Sequence, residues 1–179
     1  MNKVIQLDCE YTKENLMEVQ KPLHKKTAKI SAIIAALGFA VVLVGAVLLL
    51  FGIQFPVFLM FIGAFWGVYF AVNIQRYARK NVKTTLKNNQ KNYGETVKTT
   101  LKFYSSYLTA QNHQSGSEKR LGYDEIAKIL RTPNMLVLIT EDRAAVMGDL
   151  RTAEAEDVQM LWSHLMSQCP GKDIQIEEK

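Results

Sequence analysis

Few side chains in this sequence are of types that could do chemistry, and none stands at a spacing that would. There are three histidines and two cysteines. His24, His113 and His164 lie far apart, outside any HExxH pattern and without a neighbouring cysteine pair, so a zinc site would lack ligands. Cys9 and Cys169 are single, with no metal-ligand spacing. Ser105 and Ser106 fall in a predicted turn without the GxSxG surround of an activated nucleophile. Neither a GxGxxG nor a GxxxxGKS/T phosphate loop occurs. Asp124-Glu125 and Glu141-Asp142 are adjacent carboxylates in predicted turns, where solvated charge accounts for them. A nucleophile with its base, a metal centre and a phosphate cradle each need residue types that this chain does not bring together. The sequence predicts a binding protein with no cofactor and no metal, and not an enzyme.

The elements that would position any site are dominated by two apolar runs. Residues 30–51 read ISAIIAALGFAVVLVGAVLLLF and carry no charge. Residues 55–74 are also uncharged and nearly as long. A helix needs about 20 apolar residues to cross a bilayer. Gly52-Ile53-Gln54-Phe55-Pro56 leaves room only for a tight turn between them, so the pair is predicted to form a transmembrane hairpin. It begins after too much polar sequence to be a cleaved leader.

Charge is organised around this hairpin. The net charge is +5. No Asp or Glu occurs from Val19 to Gly94, a stretch that holds Lys21, Lys25, Lys26, Lys29, Arg76, Arg79, Lys80, Lys83, Lys87 and Lys91. Basic residues beside short spans mark the cytoplasmic side. Both termini are therefore expected in the cytoplasm of a plasma-membrane protein, where both thiols stay reduced. Lys25, Lys26, Lys29, Arg76, Arg79, Lys80 and Lys83 are the candidates for setting topology and meeting anionic headgroups. Because the positive charge belongs to the membrane flanks, it does not predict nucleic-acid binding.

Small residues mark candidate packing seams. Ser31, Gly38, Gly45 and Gly52 recur every seven residues, and Gly63, Gly67 and Ala71 every four. Such stripes let helices approach closely in lipid. They predict packing of the hairpin against itself, with a homodimer interface as the alternative. Neither span holds an ionisable residue, which argues against a pump or carrier. Trp66 lies mid-span and suits lipid or packing contact, whereas Tyr77 fits the cytoplasmic aromatic belt.

Outside the spans the pattern is α+β. Residues 4–9 alternate, with Ile5, Leu7 and Cys9 on one face, as in a short strand. Thr12 is a candidate N-cap for a helix running from Lys13 toward Lys29, and Pro22 should kink or break it near Gln20. Residues 75–90 continue as a basic helix, and 88–94 act as a stop and linker. Strands are predicted over 96–103, 107–112, 117–122, 126–131, 135–140 and 144–148, then a helix over 153–168 capped by Thr152. Leu101, Phe103, Leu136, Leu138, Trp162 and Leu165 are the expected core, with Trp162 and Leu165 plugging one end. Ile5, Leu7 and Cys9 are expected to pair with this sheet across the hairpin. Four regions follow: 1–29, 30–74 (spans 30–51 and 55–74), 75–94 and 95–179. The expected fold is an α+β membrane protein, a two-helix hairpin joined to a cytosolic antiparallel sheet or pleckstrin-homology-like (PH-like) barrel capped by a C-terminal helix.

The order of these pieces resembles the YcxB-like family of small bacterial membrane proteins. The resemblance rests on the opening DCEYTKENL, the basic-flanked hairpin, VKTTLKFYSSYLTA, and LGYDEIAKILRTPNMLVLI with Tyr123, Ile126 and Ile129. Where such proteins tend to carry a Pro-basic-aromatic segment before the last helix, this chain reads AVMGDLRTAEA. The resemblance implies a PH-like C-terminal domain and no established reaction. Three functions are compatible with the residues: a membrane-tethered protein-interaction or regulatory module, a sensor of anionic lipid surfaces, and a bacteriocin-immunity or membrane-stress protein. The partners expected are membrane lipids and an unidentified membrane or cytosolic protein.

Overall fold

The computed structural model describes residues 4–54 and 56–177. Phe55, the first residue of the second apolar run, lies outside the described residues, as do the side chains of Lys26, Ile74, Gln75 and Tyr77. The protein is α+β. In chain order it contains β1 (Ile5–Glu10), α1 (Lys13–Leu23), α2 (Lys25–Leu50), α3 (Val57–Tyr93), β2 (Lys98–Phe103), β3 (Tyr107–Asn112), β4 (Glu118–Gly122), β5 (Ile126–Arg131), β6 (Met135–Thr140), β7 (Ala145–Asp149), a 3-10 turn at Leu150–Thr152, α4 (Ala155–Gln168) and β8 (Asp173–Ile176). It divides into two compact units: Met1–Val19 with Lys83–Lys179, and Gln20–Val82.

The first unit is built on two four-stranded sheets, ordered β1-β2-β3-β4 and β7-β6-β5-β8. β1 pairs antiparallel with β2, placing Ile5 opposite Phe103, Leu7 opposite Leu101 and Cys9 opposite Thr99. Its alternation of buried and exposed residues is strict, so the period of two in the sequence fixes which face enters the core. β5, β6 and β7 form an antiparallel meander with an irregularity between Ile126 and Lys128. β8 returns parallel to β5, with Ile129 beside Ile174.

The two sheets meet where β7 lies against β1 and β2. That approach explains the sequence AVMGDL. A Cβ on Gly148 would stand 2.8 Å from Leu7 Cβ and 3.3 Å from Leu101 Cδ1, so only glycine fits without a shift. Gly148→Ala is expected to cost about 1–3 kcal/mol through overpacking. Urea unfolding of the full chain in detergent, followed by β-sheet circular dichroism, measures it; no loss would mean that the sheets separate easily there.

Leu101, Phe103, Leu136, Leu138 and Leu165 are all fully or almost fully buried. Trp162 is not: it is only partly buried, with the Arg131 guanidinium 5.0 Å from its ring centre. The buried stripe of α4 is instead Leu161, Leu165 and Cys169, at i, i+4 and i+8. Trp162 follows Leu161 by one residue and falls on the flank of that stripe. The cap differs as well. α4 starts at Ala155 after Glu154, while Thr152 ends the 3-10 turn and donates its hydroxyl to the Asp149 carbonyl at 2.7 Å.

The second unit pairs α2 with α3. Gly38 faces Gly63 and Gly67: a Cβ on Gly38 would lie 2.6 Å from the Gly63 carbonyl oxygen and 2.9 Å from the Gly67 nitrogen. Ser31, Ala35 and Gly45 continue the buried seam of α2, and Gly63 and Gly67 are buried on α3. Ala71 is exposed. The seam of α3 advances by three and four residues, reaching half-buried Phe70, whereas a row of fours drifts by about 40° per step at 3.6 residues per turn. Gly52 is exposed too, with φ of 73°. Its N–H bonds to Leu49 and the N–H of Ile53 to Leu48, so Gly52 terminates α2 in a left-handed cap and packs against nothing.

Only Thr27–Leu50 is by itself long and apolar enough to cross a membrane among the described residues. Val57–Asn73 passes that test only together with Ala78–Tyr93 beyond a bend. At about 1.5 Å per residue it covers about 25 Å, short of the roughly 30 Å hydrocarbon core. The break between α1 and α2 falls at His24, after Pro22, not at Gln20. The His24 N–H still reaches the Gln20 carbonyl at 3.1 Å, so the last turn of α1 survives the proline.

Candidate functional site

The β unit gathers its polar groups where β1 turns into α1. Thr12 caps α1, its hydroxyl accepting the Asn15 N–H at 3.2 Å, as its residue type and place predict. This brings Asn15 to the end of β7. There Arg151 donates to both oxygens of Asp149, at 2.9 Å from Nε and 2.6 Å from Nη2, and to Asn15 Oδ1 at 2.9 Å. Asp8, Glu10 and Glu14 join them around a cleft of about 420 Å³ with Cys9 and Thr152. The hydrogen bonds from Arg151 hold the Asp149 carboxyl below the usual carboxylate range, against the opposing effect of burial. Burial, with the charge of Asp149 adding to it, pushes the Cys9 thiol up to about 12. A thiol protonated at neutral pH is neither a nucleophile nor a ready metal ligand.

The histidines serve separate places. Thr100 donates its hydroxyl to Asp8 Oδ1 at 2.5 Å and stands 2.7 Å from His113 Nε2. A hydroxyl has one proton, so the imidazole must donate in return, and the three form a Asp-Thr-His chain on the outer side of β1 and β2. His164 Nε2 lies 3.2 Å from the Tyr104 carbonyl, which also accepts the Tyr123 hydroxyl at 2.7 Å. His24 Nε2 stands 2.9 Å from Gln20 Oε1 and 2.9 Å from Asn81 Nδ2, at the helix break. Among the described residues no cluster of His, Cys, Asp and Glu could hold a metal ion.

Glu18 was not singled out by its sequence context. Its carboxylate accepts the Thr132 hydroxyl at 2.5 Å, the Asn134 N–H at 2.9 Å and the Asn134 amide at 3.0 Å, holding α1 to the Thr132-Pro133-Asn134 turn. Burial raises its pKa, but these three hydrogen bonds and Arg151 together outweigh burial and lower it. A lowered pKa means the native state favours the ionised form, so this contribution is present above the ordinary carboxylate pKa of about 4.3 and lost as pH falls through the lower folded value. Glu18→Ala is expected to cost about 1.5–3 kcal/mol at neutral pH. The gap from wild type should close below about pH 4 in chemical denaturation across a pH series. A gap that stays constant to pH 2 would contradict the ionised contact.

The basic residues are placed as flanks. Lys25, Lys29, Arg76, Arg79, Lys80 and Lys83 are exposed, and the side chain of Lys26 lies outside the described residues. Among the described residues, apart from Val4, Tyr93, Met160 and Ile176, every large apolar side chain that stays exposed lies within residues 30–72. Leu43, Leu50, Phe51, Phe58, Phe61 and Phe65 are each more than three-fifths exposed. The sequence matches no family model and no curated protein.

Proposed function

We propose that the chain is a non-enzymatic integral membrane protein that holds a small β unit at the membrane as a protein-interaction or regulatory module. The observation that carries this is the belt of exposed apolar side chains over residues 30–72, far larger than the patches a soluble surface leaves open. The side chains there suit hydrocarbon, and α2 and α3 form the two arms of a hairpin, the short apolar part of α3, Val57–Asn73, crossing where the bilayer thins to meet it. The basic flanks put both termini in the cytoplasm. The order of strands, the contact of β7 with β1, and α4 seated over one end support a PH-like barrel and the YcxB-like resemblance.

The module reading takes its binding surface from the sheet edges. β4 carries exposed Glu118, Lys119 and Arg120, and charged edges discourage strand addition. Among the described residues β8 pairs with β5 on one side and ends on exposed Ile176, so it is the edge we assign to an added peptide strand. A photo-crosslinker at position 176 in native membranes should capture one recurrent protein, and the same group at position 119 should not. Equal capture from both positions, or turnover of a small molecule lost on changing one polar residue, would overturn the reading. A reporter active only outside the membrane should be silent at the C-terminus and active after Ile53. A second reading, an anionic-lipid sensor, is favoured by exposed Arg79, Lys80 and Lys83.

A further inference from the structure

We infer that the outer face of α3 binds one acyl chain of an anionic phospholipid, with its phosphate held at Arg76. The inference rests on the membrane reading above and adds a specific lipid site to it. A groove of about 610 Å³ runs along this face, lined by Phe61, Ala64, Phe65, Val68, Tyr69, Val72, Asn73 and Arg76. It is an open groove on one helix face, suited to a chain lying along it and not to an enclosed ligand. The residues fall in two rows at i, i+4 and i+8. Phe61, Phe65 and Tyr69 make a tall aromatic wall, in which the Phe65 and Tyr69 rings are stacked 6.2 Å apart at 16°. Ala64, Val68 and Val72 are smaller and make the floor.

Length and charge decide the occupant. From Phe61 to Val72 the groove is apolar for about 16 Å at 1.5 Å per residue. That matches one leaflet, roughly half of a 30 Å hydrocarbon core. Polarity then begins abruptly: the Asn73 amide donates to the Tyr69 carbonyl at 2.9 Å, and exposed Arg76 follows one turn later. A guanidinium at headgroup depth offers the forked donor that matches a phosphate. No carboxylate between Glu18 and Glu95 is available to balance a choline cation, so the site selects net-negative headgroups.

Trp66 is a built-in reporter, its ring 6.0 Å from Phe65 and 5.9 Å from Tyr69. The chain has two tryptophans, so Trp162→Phe leaves Trp66 alone. Full-length Trp162→Phe protein, checked by circular dichroism, would be reconstituted in phosphatidylcholine vesicles containing brominated phosphatidylglycerol or brominated phosphatidylcholine. The relative binding constant from quenching should favour phosphatidylglycerol about fivefold, the size one basic residue near an anionic surface supplies. Arg76→Gln should bring the ratio to about one. Lys87→Gln should leave it unchanged, being farther along α3 than the Debye length of about 8 Å. Strong quenching by both lipids with a ratio near one in the parent would overturn the site and leave the membrane reading standing. An equal loss in Lys87→Gln would also overturn it, showing diffuse attraction. No quenching by either lipid would overturn the membrane reading and the site together.

Discussion

Phe103→Ala is expected to remove about 3–5 kcal/mol from the stability of the β unit. Phe103 is fully buried and is the largest of the side chains that are. It stands between Ile5 of β1 and Leu108 of β3 in the register of the first sheet. Truncation loses the transfer free energy of the ring and leaves a cavity that three paired strands cannot collapse without breaking their ladders. A domain of this size has about 5–15 kcal/mol in total, so the variant should be close to unfolding in mild denaturant. Urea unfolding of the full chain in detergent, with amide exchange followed over β2 and β3, measures the loss. A change under 1 kcal/mol would show that the sheets are less tightly joined than their register implies.

The second large effect belongs to the helical unit. Gly38→Leu should separate α2 from α3, because its Cβ alone would sit 2.6 Å from one backbone atom of α3 and 2.9 Å from another. Backbone cannot rotate away as a side-chain tip can. Without a hydrophobic drive between helices in lipid, close packing is the main attraction, and the glycine contact supplies it. Gly38→Ala should already cost about 1–3 kcal/mol, and leucine more. Ala71→Leu, on an exposed position, should cost nothing measurable. Unfolding in mixed detergent and dodecyl sulfate compares the three. Equal sensitivity at 38 and 71 would mean that the seam runs elsewhere.

Much of the β unit was legible in the sequence because local rules and burial agree there. Residues 107–112, 126–131 and 135–140 are strands with the bounds expected from alternation and turn residues. The pairing of Ile5, Leu7 and Cys9 with the sheet also holds, since a half-apolar strand has to bury its face somewhere. β8 was not legible: four residues after Pro170-Gly171 carry too short a pattern, and its partner β5 is distant in sequence. The misplacement of Trp162 has a different cause. Periodicity finds the apolar face of α4 but not its centre line, and Leu161 lies closer to that line. Gly52 and Ala71 were misread because a repeat of small residues continues past a helix end or off a seam as readily as along it. The polar cleft and Glu18 depend on contacts between residues more than a hundred positions apart, for which no local spacing gives a signal.

The register of β1 against β2 has a consequence for how the molecule is made. β1 leaves the ribosome before either long helix, and its partner only after both. At about 5–20 residues per second, the roughly 90 intervening residues impose a wait on the order of 5–20 s. Throughout that time a half-apolar strand has no sheet to join. The rest of the sheet, once made, presents β2 as a raw edge until β1 arrives. On the membrane reading, β1 can close that edge only if the chain has come back to the side where it started. Completion of the β unit then depends on insertion: if one arm of the hairpin is left out, β1 and β2 lie on opposite sides and β2 stays an open edge.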